Sequence, residues 1–232
     1  MARRAVVSDP ERSDAETRRI EAYYATRVER PMSPTVRFVV DERRSALDRA
    51  VERFVDRPLN ELRMCDVGCG DGGDLQFWAG RGVPEEHLSG TELLSGPLRI
   101  ARSRLPAADL RLVDGFELPF GDDAFDVVYA SMVFSSVLNP AARRTLFDDM
   151  HRAAAPGGIV AIYDFRVRKP TNPHVVPMTR GRIRELGRTP HRMQPLTPLM
   201  PVLPTALRTP GWLRRPLLRA LPRTHALWVW QT

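Results

Sequence analysis

Four carboxylates in this chain stand where short apolar runs end, and each could do chemistry there. Asp66 sits at the tip of the run 64–67, two residues before the first of the glycines Gly68, Gly70, Gly72 and Gly73. Glu92 falls at the end of the run 87–93, Asp114 closes 110–114, and Asp164 lies near the end of 159–165. A carboxylate at such a tip can hold a cation or accept both protons of a vicinal diol. It can also act as a general base once desolvation raises its pKa. The glycines add a turn whose backbone takes positive φ at little steric cost and lies close against a ligand. The N–H groups where the next helix begins are expected to face an anionic group.

The elements that must position these acids follow a repeated strand–turn–helix order. The run 64–67 is a strand, the glycines are its turn, and Leu75, Phe77 and Trp78 begin a helix over 73–79, which is the first βα unit of a nucleotide-binding sheet. Glu92 follows Gly68 by 24 residues, close to the ~20 expected for an acid that binds ribose hydroxyls. Pro97 opens a helix carrying Leu98, Ile100, Ala101 and Leu105. Strands are expected at 110–114, at 125–130 and at 159–165, with a helix over 141–154 and a turn at 155–158. A weak strand near 191–196 and a β-like terminal run, 225–230, complete the sheet. Two helices, 13–30 and 36–55, precede the first strand and read as a cap, with Tyr23, Tyr24 and Arg27 as lid residues.

An acid just before the glycine turn would repel a pyrophosphate and suits an ammonium group, which favours S-adenosylmethionine over a dinucleotide. With Asp66 in place, D-V-G-C-G-D-G resembles motif I of the class I S-adenosylmethionine-dependent methyltransferases. D-G-F-E-L-P-F from Asp114, the F-D-V-V after it and the P-G-G at 156–158 resemble the small-molecule branch of that family. The likeness spans 62–165. It implies an α/β, Rossmann-like fold: a seven-stranded, mostly parallel sheet in the order 3-2-1-4-5-7-6, with an N-terminal helical cap. It also implies S-adenosylmethionine as cofactor, leaving S-adenosylhomocysteine. Asp66, Gly68, Gly70 and Ser131 would bind the cofactor, with Glu92 on the ribose and Leu93 beside the adenine. Asp114 would accept the adenine amino proton, and the Gly115 N–H would face a ring nitrogen. Tyr24 and Phe134 are expected to line the acceptor cleft. Asp164 and His174 are the candidates for a catalytic base.

Methyl transfer needs alignment more than conspicuous catalytic groups, so the acceptor is less legible than the cofactor. The expected acceptor is a small molecule, more readily methylated at oxygen, on a hydroxyl, than at nitrogen, in specialised or glycan metabolism. Charge supplies the alternatives. The net charge of +7 divides into −5 over 1–165 and +12 over 166–232, where Glu185 is the sole acid. Such a tail suits an anionic acceptor, a membrane surface or, less readily, RNA; a cofactor binder without turnover is the reading from another class. The prolines and arginines of 198–222 are expected to form an insertion that packs its apolar side on the body as a lid. Residues 1–58 would be the cap and 59–232 the core. Cys65 and Cys69 cannot make a disulfide framework, no clustered metal ligands occur, and no apolar run is long enough to span a bilayer, so a cytoplasmic location is expected. The oligomeric state has no signature in the sequence.

Overall fold

The computed structural model describes residues 10–25, 32–168, 172–199 and 202–232. Arg27 lies outside them. The parallel strands are β1 (Met64–Val67), β2 (Leu88–Glu92), β3 (Asp109–Leu112), β4 (Phe125–Ser131) and β5 (Ala154–Phe165). Strand β7 (Arg223–Gln231) runs antiparallel to both its neighbours, β5 and β6 (Arg192–Pro198), and completes a seven-stranded sheet in the order 3-2-1-4-5-7-6. The helices are α1 (Pro10–Ala25), α2 (Pro34–Phe54), α3 (Gly73–Arg81), α4 (Ser95–Arg104), α5 (Pro140–Ala153) and α6 (Arg180–Glu185). The last two, α7 (Leu203–Arg208) and α8 (Gly211–Ala220), lie between β6 and β7.

The central strands are apolar on both faces because helices cover both. Side chains alternate along β4: Val127 and Tyr129 join Leu75, Trp78 and Leu98 on one face, and Val128 and Ala130 join Leu146, Phe147 and Met150 on the other. Chain crossovers reverse between β1 and β4, and the crevice beyond their carboxyl ends is where ligands bind in such sheets.

Three expectations change. Strand β3 stops at Leu112, two residues before Asp114, because its last partner is Glu92 at the end of β2. Helix α2 buries Ala46, Leu47, Ala50 and Val51 in the same core as Met64 and Leu88, and α1 buries Ile20 in the core that holds Phe134 and Phe147, so both helices pack on the body. The insertion packs on the body through α7, which buries Leu203 and Ala206, whereas α8 buries nothing.

Candidate active site

The glycine turn holds itself together. Gly68, Gly70 and Gly72 take φ of +74°, +56° and +79°, which glycine adopts without strain. The N–H groups of Gly68 and Cys69 donate to the Thr91 carbonyl (2.8 and 2.9 Å), and that of Gly72 to the Cys69 carbonyl (2.9 Å). Gly70 N–H donates to Glu92 Oε2 (2.8 Å) and Gly73 N–H to Asp71 Oδ1 (3.2 Å). These five donors are spent inside the chain, so of the N–H groups where α3 begins, that of Gly73 is already taken by Asp71.

Two cavities open at the carboxyl ends of the strands, and Gly68 and Ser131 line both. The first, of about 290 Å³, is bounded by Glu92, Leu93, Gly115 and Tyr24 and is largely apolar. Glu92 receives the N–H groups of Gly70 and Leu94, one on each oxygen (2.8 and 3.0 Å). Each oxygen keeps acceptor capacity, so Glu92 is braced and still able to accept two hydroxyl protons. A Cβ on Gly68 would lie 2.6 Å from Val133 Cγ2, so at this position the chain requires glycine for space as well as for φ.

The second cavity, of about 690 Å³, is bounded by Asp66, Asp74, Arg43 and Arg44. Asp66 is buried between Gly90 of β2 and Tyr129 of β4, and its Oδ1 has no hydrogen-bond partner in the described chain. Burial, and then the Asp74 charge, hold its carboxyl well above the usual carboxylate range, while the Tyr129 hydroxyl and Arg43 pull the other way. An orphaned buried carboxyl oxygen beside a cavity is a place for a cation, which fits the ammonium group of S-adenosylmethionine and would not fit a phosphate.

Arg43 and Arg44 carry no signal in the sequence, yet they tie the site together. Arg43 Nη2 donates to both oxygens of Asp74 (2.6 Å each) in the first turn of α3, and its Nη1 to Ser131 Oγ at the end of β4 (2.7 Å). Arg44 Nε donates to Asp74 (2.8 Å) and its Nη2 to the Gly73 carbonyl (2.6 Å). Helix α2 thus joins the start of α3 to the end of β4. Spacing rules relate close neighbours along one element; they say nothing about residues some thirty positions apart.

The remaining site expectations divide. Tyr24 lines the first cavity and shares a hydrogen bond with Ser136 Oγ (2.8 Å). Leu93, Gly115 and Ser131 also line it. Asp114 is exposed and outside the lining, because the ladder ends before it. Phe134 is corrected: Met132 turns the loop at φ +63° and sends Phe134, fully buried, against Phe147. Met132 and Val133 line the cavity in its place. Asp164 is fully buried outside both linings and accepts the N–H groups of Ser135 (2.8 Å) and Phe165 (2.7 Å). Burial raises its carboxyl to about 6, against those hydrogen bonds. It caps the loop after β4. His174 is exposed and stacks on Tyr23, with centroids 4.4 Å apart, also outside the linings.

A 3-2-1-4-5-7-6 sheet with a self-braced glycine turn and an acid on β2, all at the switch point, is the arrangement of a class I methyltransferase domain. Residues 65–162 match the family model described as methyltransferase domain, and the chain carries a class I S-adenosylmethionine-dependent methyltransferase domain. It is similar to an uncharacterized methyltransferase of Synechocystis, 29% identical over 129 residues that cover 52% of this chain and 57% of that protein. The trans-aconitate 2-methyltransferase of Variovorax paradoxus is 33% identical over 127 residues, 50% of this chain and 48% of that one. The chain thus spans about half the length of the curated relatives it matches. Geranyl diphosphate C-methyltransferase from Streptomyces coelicolor, solved with Mg²⁺, geranyl diphosphate and S-adenosylhomocysteine, has the same fold: TM-score 0.63 at 15% identity, covering 92% of this chain and 96% of that one. Among the described residues no helix is long and apolar enough to cross a membrane.

Proposed function

We propose that this chain transfers a methyl group from S-adenosylmethionine to the oxygen of a small acceptor that arrives already acidic. The observation that carries the cofactor half is Asp66, a buried carboxyl with an orphaned oxygen at a cavity lip. Asp66 would face the ammonium group, Glu92 would accept the ribose hydroxyls, and Leu93 and Gly115 would flank the base. When bound, the cofactor supplies a methyl group on a sulfonium, already activated for in-line displacement. The chain then has to align the acceptor and exclude water. Met132, Val133 and Tyr24, which line the smaller cavity, would do the second.

The acceptor follows from where bases are absent. Among the described residues lining the two cavities there is no histidine. Asp71 pairs with Arg104, Asp74 with Arg43 and Arg44, and Glu92 with backbone N–H groups. With Asp66 and Glu92 given to the cofactor, an ordinary alcohol would find no free base to take its proton. A carboxylate or an acidic hydroxyl needs none, and Arg43, Arg44 and Arg104 around the wider cavity suit its charge. The relative named for trans-aconitate, a carboxylate, supports the same reading. A place in specialised or glycan metabolism is part of this proposal.

Incubation with S-adenosylmethionine and a panel of carboxylic acids, phenols, alcohols and amines, followed by detection of S-adenosylhomocysteine and methylated product, tests it. Turnover confined to the acids and phenols is expected. Turnover on amines alone would sink the acceptor half, and failure of the folded chain to bind S-adenosylhomocysteine would sink the whole.

A further inference from the structure

Among the described residues, α8 is the least buried α-helix and one of the most basic. It contains no buried residue. Trp212 is 76% exposed, Leu213 41% and Leu217 38%. At 3.6 residues per turn, Trp212, Pro216, Ala220, Leu213 and Leu217 fall within one arc of about 140°. Arg215 and Arg219 border that arc on the Trp212 side, and Arg214 borders it on the Leu217 side. Leu218, the one half-buried side chain of α8, lies opposite. Arg214 donates to the Thr209 carbonyl (3.1 Å), and neither Arg215 nor Arg219 pairs with an acid among the described residues. No acid occurs anywhere in 186–232.

Topology sets where this helix stands. Phe165 at the carboxyl end of β5 pairs with His225, and Pro198 at the end of β6 pairs with Arg223. The insertion therefore leaves and re-enters the sheet at the edge where both cavities open. Its base is fixed to α2, since Glu42 accepts the Thr197 N–H (2.6 Å) and pairs with Arg223 (3.2 Å). Val167, Leu199 and Val202 are exposed apolar side chains at the same edge.

We propose that α8 docks on an anionic lipid surface. It would lie in the plane of the headgroups, with Trp212, Leu213 and Leu217 inserted and the three arginines among lipid phosphates. An apolar arc with a tryptophan, bordered by arginines, is what an interfacial helix presents. A nucleic-acid backbone would satisfy the arginines and leave Leu213, Pro216 and Leu217 in water. A ten-residue helix inserts weakly alone, so docking is reversible and falls with ionic strength. The bilayer would cover the edge into which both cavities open. The inference does not depend on the proposed reaction.

The test uses the full chain with vesicles of phosphatidylcholine alone or with about 30 mol% phosphatidylglycerol, an anionic fraction that gives the surface a negative potential. Trp212 reports directly, because Trp78, Trp228 and Trp230 are buried. Expected are co-flotation with the anionic vesicles only and a blue shift of tryptophan emission. Binding should weaken at least about tenfold for Trp212→Ala/Leu217→Ser and for Arg215→Ser/Arg219→Ser. Affinity for S-adenosylhomocysteine, measured on the same samples, should not change, which shows that the variants are folded and keeps this result separate from the cofactor reading. No binding to anionic vesicles overturns the proposal. So does binding that Trp212→Ala/Leu217→Ser leaves intact, or preference for RNA over vesicles with that variant at full affinity.

Discussion

The loops after β1 and after β4 meet at the switch point, and each is held by one acid at a strand tip. Glu92 holds the first and Asp164 the second, each accepting two backbone N–H groups. Glu92 lines a cavity and keeps acceptor capacity towards it, whereas Asp164 is sealed in the core. In sequence the two look alike. A strand-tip acid is a ligand group when some lone pairs remain open to a cavity, and a structural cap when burial closes them off. Asp66 and Asp114 mark the extremes: one is buried with an orphaned oxygen, the other is exposed beyond the end of its ladder.

Cutting the bond between the start of α3 and the end of β4 should have the largest effect. Arg43→Met removes the half-buried guanidinium that joins Asp74 to Ser131, against roughly 3 kcal/mol or more for breaking a fully buried pair. Arg44 remains on Asp74, so the loss should sit near the lower end, with weakened cofactor binding as well. Denaturant unfolding and ligand titration of the same variant would read both.

Asp164→Asn sharpens the contrast. The amide can accept only one of the two N–H groups, and one buried unsatisfied group costs about 1–3 kcal/mol. Because the amide also removes a buried charge, stability should fall by less than that near neutral pH, while affinity for S-adenosylhomocysteine stays within about threefold, a change of ~0.7 kcal/mol. A fall in affinity beyond tenfold would show that Asp164 belongs to the site.

The same residue gives a pH signature. Burial raises the Asp164 carboxyl from the ordinary 3.8 to about 6 in the folded chain. The folded state therefore binds more protons between these values. The stabilising contribution is fully present below about pH 4 and is lost as pH rises through about 6. Subtracting the unfolding free energy of Asp164→Asn from that of wild type should leave a difference that shrinks over this window and is flat above it. A difference independent of pH would mean that the carboxyl titrates normally.

Asp114→Ala should do least. Its side chain is exposed and outside the cavity lining, so affinity for S-adenosylhomocysteine should change by no more than about threefold. A tenfold loss would restore it as an adenine ligand.

These contrasts explain how much was legible beforehand. The apolar runs and glycines made β1, β2, β4 and β5 readable, because buried parallel strands need continuous apolar residues and the turn needs positive φ. Helix α6 starts at a cap of the ordinary kind, the Thr179 side chain accepting the Arg182 N–H. The lone-pair accounting that separates Glu92 from Asp164 was not readable, since it depends on which backbone donors the folded loops turn towards each acid. Phe134 looked like a cleft residue until the turn at Met132 reversed its direction. Within 198–222, α7 packs Leu203 and Ala206 on the body, whereas α8 buries none of its apolar side chains among the described residues.

The central claim is that Glu92 is both brace and ligand, and calorimetric titration of S-adenosylhomocysteine into wild type and Glu92→Ala tests it most directly. Loss of charge-assisted hydrogen bonds should cost about 1.5–3 kcal/mol, a ten- to hundredfold weaker affinity, in a variant that still folds. Equal affinities in wild type and Glu92→Ala would contradict the account, because the acid on β2 would then be no more than a cap for the glycine turn.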